Sequence, residues 1–97
     1  MRSYSLTEAA EEDLKGIWNY LSAKSQAAAN KFIHEIHARF DMIVDNPDIG
    51  RERDAFSEGL RSLVSGTHLI FYRVIYDEIR ITRVVHGAMD LTKISFD

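Results

Sequence analysis

A change of hydrophobic period near Gly59 constrains this chain more than any other feature. Before Pro47 the apolar residues recur at helical spacing; after Gly59 they come in β-branched and aromatic runs. Thr7 offers an N-cap hydroxyl ahead of an acidic first turn with Glu8, Glu11 and Glu12, and Ala10, Leu14, Ile17, Trp18 and Leu21 follow on one helical stripe. Ser25 is a second N-cap. Ala29, Phe32, Ile33, Ile36, Phe40, Ile43 and Val44 then carry the period until Asn46-Pro47 stops it. The join at Ser22-Ala23-Lys24-Ser25 is so short that the two helices fold back on each other, with apolar faces that need a further cover.

Leu60 to Val64, His68 to Ile75 and Ile79 to Val85, parted by Ser65-Gly66 and a turn near Asp77-Glu78, read as an antiparallel meander. Arg2 to Leu6 reads as an edge strand. The expected class is α+β in the order β-α-α-β-β-β: an N-terminal β-strand, then an antiparallel helix hairpin packed on a small antiparallel sheet, as one domain over residues 1–97. With two-residue turns, Leu69, Phe71, Arg73 and Ile75 share a face with Leu60, Val64 and Val84, and Ile70, Tyr72 and Val74 share the other with Leu63, Ile81 and Val85. Both faces are partly apolar, which predicts that a partner covers the open one. Pro47 to Glu58 reads as a loop with at most one helical turn, and the tail after Gly87 as flexible.

The absence of cysteine among the 97 residues excludes disulfides, thiolate catalysis and iron–sulfur clusters, and fits a reducing, cytoplasmic setting. No apolar run approaches the ~20 residues of a membrane span, and the first residues lack a signal-peptide core. A net charge of −3 argues against a general nucleic-acid binder, so no direct sequence-specific nucleic-acid binding is expected. Charge is unevenly spread: residues 1–48 hold five basic and eight acidic side chains, residues 49–97 seven of each, and six of those seven basic residues are Arg. Arginine suits carboxylate and phosphate recognition, while ordinary surface ion pairs account for such a composition equally well.

His34-Glu35-Ile36-His37 has histidines three apart, where a zinc-protease helix needs them four apart, so no metal and no cofactor are expected. Glycine-rich phosphate loops are missing. Nothing in the sequence unites Ser62, Ser65, His68 or His86 with an Asp into a triad. Arg61, Arg73 and Arg83 on successive strands, with Tyr72 near and His86 at a strand end, form the stronger constellation. Guanidiniums holding phosphates beside a proton-moving His86 suit a metal-free ribonuclease; edge charges or docking of an acidic partner are the competing readings.

Several segments resemble the ParE toxins of bacterial toxin–antitoxin modules. They are Tyr4-Ser5-Leu6-Thr7-Glu8-Ala9-Ala10 with Asp13-Leu14 and Ile17-Trp18-Asn19-Tyr20; Asn46-Pro47-Asp48-Ile49-Gly50-Arg51; Gly59-Leu60-Arg61-Ser62; Ser65 to Val74; and Arg83 to Asp90. The resemblance implies the RelE/ParE fold, a ParD-like antitoxin whose flexible C-terminal segment wraps the toxin, and DNA gyrase as target. RelE-type ribonucleases, the sister branch, cut messenger RNA in the ribosome with a catalytic Arg early in the middle strand and an Arg and a Tyr in the tail. Those slots align with Leu69 and with Ala88 or Met89 here, and no Tyr follows Tyr76. Losing a charge that stabilises the transition state costs on the order of 3–4 kcal/mol. The resemblance therefore implies gyrase poisoning without catalytic residues, with RNA cleavage or a degenerate antitoxin-binding protein as alternatives. Expected target contacts are Arg51, Arg61, Arg73, Arg83, His86, Met89 and Asp90. Expected antitoxin contacts are Leu14, Trp18, Tyr20, Leu69, Phe71 and Arg73.

Overall fold

The computed structural model describes residues 3–96, so Arg2, expected to open the first strand, lies outside the described residues. Strand β1 (Ser3–Leu6) leads into helices α1 (Glu8–Lys24) and α2 (Gln26–Asp45); strands β2 (Arg51–Glu52), β3 (Arg61–Ser65), β4 (His68–Ile75) and β5 (Glu78–His86) follow. Both caps act as their sequence requires. The Thr7 hydroxyl accepts from the Ala10 N–H, and Ser25 ends α1 by donating its N–H to Leu21 while its own hydroxyl accepts from the Ala28 N–H. One residue thus separates the helices.

The sheet runs β1-β5-β4-β3-β2, antiparallel throughout except that β1 joins β5 in parallel. The helix hairpin covers one face. Four residues of α2 (Phe32, Ile36, Phe40 and Ile43) are buried there against Ile70, Tyr72, Ile79, Ile81 and Val84, and Ala29 of the same helix is buried as well. Helix α1 buries only Ala10 completely, with Leu14, Ile17 and Leu21 packed around the core's margin.

Three expectations need correction. First, the two-residue strand β2 lies in the segment read as a loop; a pairing of Arg51 with Ser62 and Glu52 with Arg61 is too short to leave a periodic signal. Second, Val84 stands opposite Ile70 on the helix side and Val85 opposite Leu69, the reverse of the expected faces. A β-bulge is the cause: Phe71 pairs with Arg83 and Tyr72 with Ile81, which leaves Thr82 unpaired and flips the alternation. The Thr82 hydroxyl donates to the Phe71 carbonyl and its own carbonyl accepts from the Thr7 hydroxyl, so the bulge also ties β5 to the start of α1. Third, the tail expected to be flexible folds back over the second sheet face. A 3-10 turn (Leu91–Lys93) places Leu91, Ile94 and Phe96 against Leu60, Leu69, Phe71 and Val85. The ring centroids of Phe71 and Phe96 are 4.6 Å apart. The cover expected from a partner is here supplied by the chain itself.

Candidate functional site

Strand register decides which arginines meet. Arg61 pairs with Tyr72 on the helix face, whereas Arg73, opposite Arg80, and Arg83, opposite Phe71, belong to the other face. The expected constellation is therefore divided between two surfaces. Arg61 serves the fold: Nη1 donates to the Gly50 carbonyl at 2.8 Å, and Nη2 lies near the carboxylates of Glu52 and Asp48. That contact braces a tight passage. The buried Tyr72 hydroxyl donates to the Pro47 carbonyl at 2.7 Å and accepts the Gly50 N–H at 2.8 Å, and only a glycine fits there. Burial pushes the Tyr72 phenol above its ordinary pKa, partly opposed by the Gly50 N–H and Arg61.

All three nitrogens of Arg83 are engaged, Nε and Nη2 by the Asp13 carboxylate and Nη1 by the Ser95 carbonyl at 3.1 Å. The hydrogen-bonded carboxylate holds its guanidinium even more firmly protonated than usual. Arg73 donates to the Glu58 carbonyl and the Ser57 hydroxyl. Arg51 is exposed on β2 and makes no ion pair among the described residues.

His86 is joined by a residue that the expected target contacts omitted. His68 lies opposite it on β4, with ring centroids 5.5 Å apart, and its other side packs edge-on against Phe32 at 5.1 Å. Burial first, and then the neighbouring His86, hold the His68 imidazole below its ordinary pKa of 6.5. His86 Nδ1 accepts the Ala88 N–H at 3.0 Å. Both rings border a cleft of about 440 Å³ whose other walls are Gly16, Ile17, Tyr20 and Leu21 of α1, and Thr67. Gly16 leaves the helix surface bare. An adjoining depression includes Glu12, Arg83 and Met89. Spacing along β4 and β5 gave no sign of the His68–His86 contact, which depends on a register that the bulge shifts.

Of the expected antitoxin contacts, Tyr20 is 60% exposed beside the cleft and Leu14 and Trp18 are half-buried on α1. Leu69, half-buried, and Phe71 lie beneath the tail, and Phe71, at 0% exposure, offers a partner no surface while the tail is in place. Met89 and Asp90 are exposed. Among the described residues, no three His, Asp or Glu side chains converge to hold a metal ion.

The family model for "ParE toxin of type II toxin-antitoxin system, parDE" matches residues 4–91. This chain belongs to the ParE toxin family. Toxin ParE1 of Caulobacter vibrioides is 34% identical to it over 93 residues, 93% of this chain and 94% of that protein. Toxin ParE1 of Mycobacterium tuberculosis is 34% identical over 92 residues, again 93% and 94% of the two chains. A solved structure described as "Chromosomal ParDE TA system from P. aeruginosa" superposes with a TM-score of 0.74 at 25% identity, covering 89% of this chain and 96% of that one. The ParE assignment makes this chain the toxin of a ParDE type II toxin–antitoxin system, and accounts for the strand–helix hairpin–sheet order. No described helix is long and apolar enough to cross a membrane.

Proposed function

We propose that this ParE toxin acts in the cytoplasm by binding DNA gyrase and stabilising its cleaved-DNA complex, without a catalytic centre of its own, and that a ParD-like antitoxin neutralises it. The observation that carries the non-catalytic reading is where the cations are spent. Arg83 gives all three nitrogens to Asp13 and Ser95, and Arg61 gives both terminal nitrogens to the Gly50 loop and its carboxylates. Neither fork is left to grip a phosphate, and Leu69 under the tail occupies a slot where a ribonuclease would need a charge. Target contact then falls to the exposed members of the expected set, Arg51, His86, Met89 and Asp90, with Arg73 at the margin and Arg61 and Arg83 as internal braces. For the antitoxin, the cleft beside Tyr20 with Leu14 and Trp18 is the fitting surface, since folding of a flexible segment onto it would bury apolar area.

Purified protein added to gyrase should inhibit supercoiling and accumulate trapped double-strand breaks. Unimpeded gyrase, with ribosome-bound message cut instead, would replace this reading by the ribonuclease one. The feature favouring that alternative is the His68–His86 pair, one imidazole held neutral beside another in an open cleft. A chain harmless on expression that still binds its antitoxin would be a degenerate toxin.

A further inference from the structure

Two imidazoles border the cleft beside Tyr20, and neither meets a carboxylate among the described residues. His68 and His86 stand directly opposite each other on β4 and β5 with ring centroids 5.5 Å apart, and Phe32 closes the far side of His68. The Ala88 N–H points at His86 Nδ1 from 3.0 Å, so that nitrogen must keep its lone pair; a proton there would set donor against donor. Two charged rings this close would also repel each other. The surrounding charges are engaged elsewhere or stand at the margin. On α1, Asp13 is given to Arg83 of β5, Lys24 lies over the Tyr20 ring, and Glu12 borders the adjoining depression. On α2, Lys31 and Glu35 stand 4.0 Å apart in a second depression that His68 shares. In the tail, the Asp90 carboxylate accepts from Thr92. The site is built for two neutral rings.

We infer that the His68–His86 pair is a proton latch on antitoxin capture: the cleft takes the apolar face of the antitoxin's segment while both rings are neutral, and acidification expels it and frees the toxin. The inference rests on the cleft being the antitoxin's site. Ile17, Leu21 and the bare backbone of Gly16 form the wall facing the rings, and Glu12 beside it repels an acidic segment. Such walls suit an apolar occupant, which strips water from both imidazoles. A proton on either ring would then be a buried cation without a counter-charge, whereas in the empty cleft solvent shares it. Proton and occupant therefore exclude each other, and by linkage each weakens the binding of the other by the same factor. His68 shows the preference even before the cleft is filled, since burial and then His86 hold its imidazole below the ordinary value.

Calorimetric titration of the full chain with its antitoxin tests this, with folding checked at each pH. Affinity should fall roughly fivefold to tenfold from pH 7.5 to pH 5.5, the size expected when binding displaces one proton from a ring titrating near the ordinary histidine value. Heats in buffers of different ionisation enthalpy should show that proton released at pH 5.5. The double variant His68→Phe with His86→Asn, whose amide oxygen still accepts from the Ala88 N–H, should lose the release and keep only the pH dependence of the antitoxin itself. Equal dependence in both proteins overturns the inference. So does tighter binding at pH 5.5, which would place a carboxylate of the antitoxin on the rings. Gly16→Leu tests the cleft assignment separately: a Cβ there has nothing within 4 Å, so the side chain fills the cleft without disturbing the fold and should weaken binding at pH 7.5 about tenfold. If Gly16→Leu binds like the parent, the antitoxin lies elsewhere and the latch falls with the cleft assignment. If it binds weakly while the parent's affinity is unchanged by pH, the latch alone falls.

Discussion

Arg83 and Asp13, 70 residues apart, meet fork to fork, with Nε 2.7 Å from Oδ2 and Nη2 2.9 Å from Oδ1. The same carboxylate accepts the Val84 N–H at 3.0 Å, beyond the last β1–β5 pair, Leu6 with Ile81. Asp13 thereby closes a sheet edge that β1 is too short to reach, and Arg83 extends the staple to the tail.

Asp13→Ala should cost about 2 kcal/mol, since it removes a charge-assisted pair and leaves a strand N–H without its acceptor. For a domain of this size that is roughly a 10 °C fall in melting temperature. Asp13→Asn, which keeps an acceptor for Val84, should lose less. Calorimetry showing Asp13→Ala as stable as the parent would dismiss the staple.

Gly50→Ala would set a Cβ 2.5 Å from the Tyr72 hydroxyl and 2.7 Å from its ring. Tyr72→Phe should cost about 1–3 kcal/mol, because the Gly50 N–H and Pro47 carbonyl lose their partner. The double variant should be less damaging than the sum of the two, since the nearest clashing atom is gone. A urea double-mutant cycle that adds within about 0.5 kcal/mol would show that the contact is not coupled.

His68 is held below pH 6.5 in the fold, so the unfolded chain takes up a proton that the native state refuses. The His68 contribution to stability is complete above pH 6.5 and declines as the pH falls through that value toward the lowered native pKa. His68→Phe should flatten this part of the profile. Urea midpoints at pH 8 and pH 5 that move equally in parent and variant would contradict it.

Phe96→Ala uncovers Phe71 and should cost about 3 kcal/mol, the low end for a buried Phe. Binding of a hydrophobic dye should rise at the same time. An unchanged melting curve would mean that the tail adds nothing to the second core.

The helices were legible because local chemistry fixes them: Thr7 and Ser25 cap, Pro47 stops, and Phe32, Ile36, Phe40 and Ile43 keep the period. The meander was legible in its β-branched runs. Its faces were not, since one unpaired residue, Thr82, reverses an alternation that a sequence reader must assume continuous. Strand β2 exists only through its partners on β3. The tail carried a signal in Leu91, Ile94 and Phe96, but three apolar residues without a strong period do not reveal which surface they cover. Arginine enrichment drew attention to residues 49–97. It did not reveal that Arg61 and Arg83 spend themselves internally, because both partners, the Gly50 loop and Asp13, come from elsewhere in the chain.

The chain's first strand is zipped alongside its last, Ser3–Leu6 beside Glu78–Ile81. A polypeptide tied beginning to end cannot complete its sheet while its second half is still being translated, so a nascent copy has no finished surface to present.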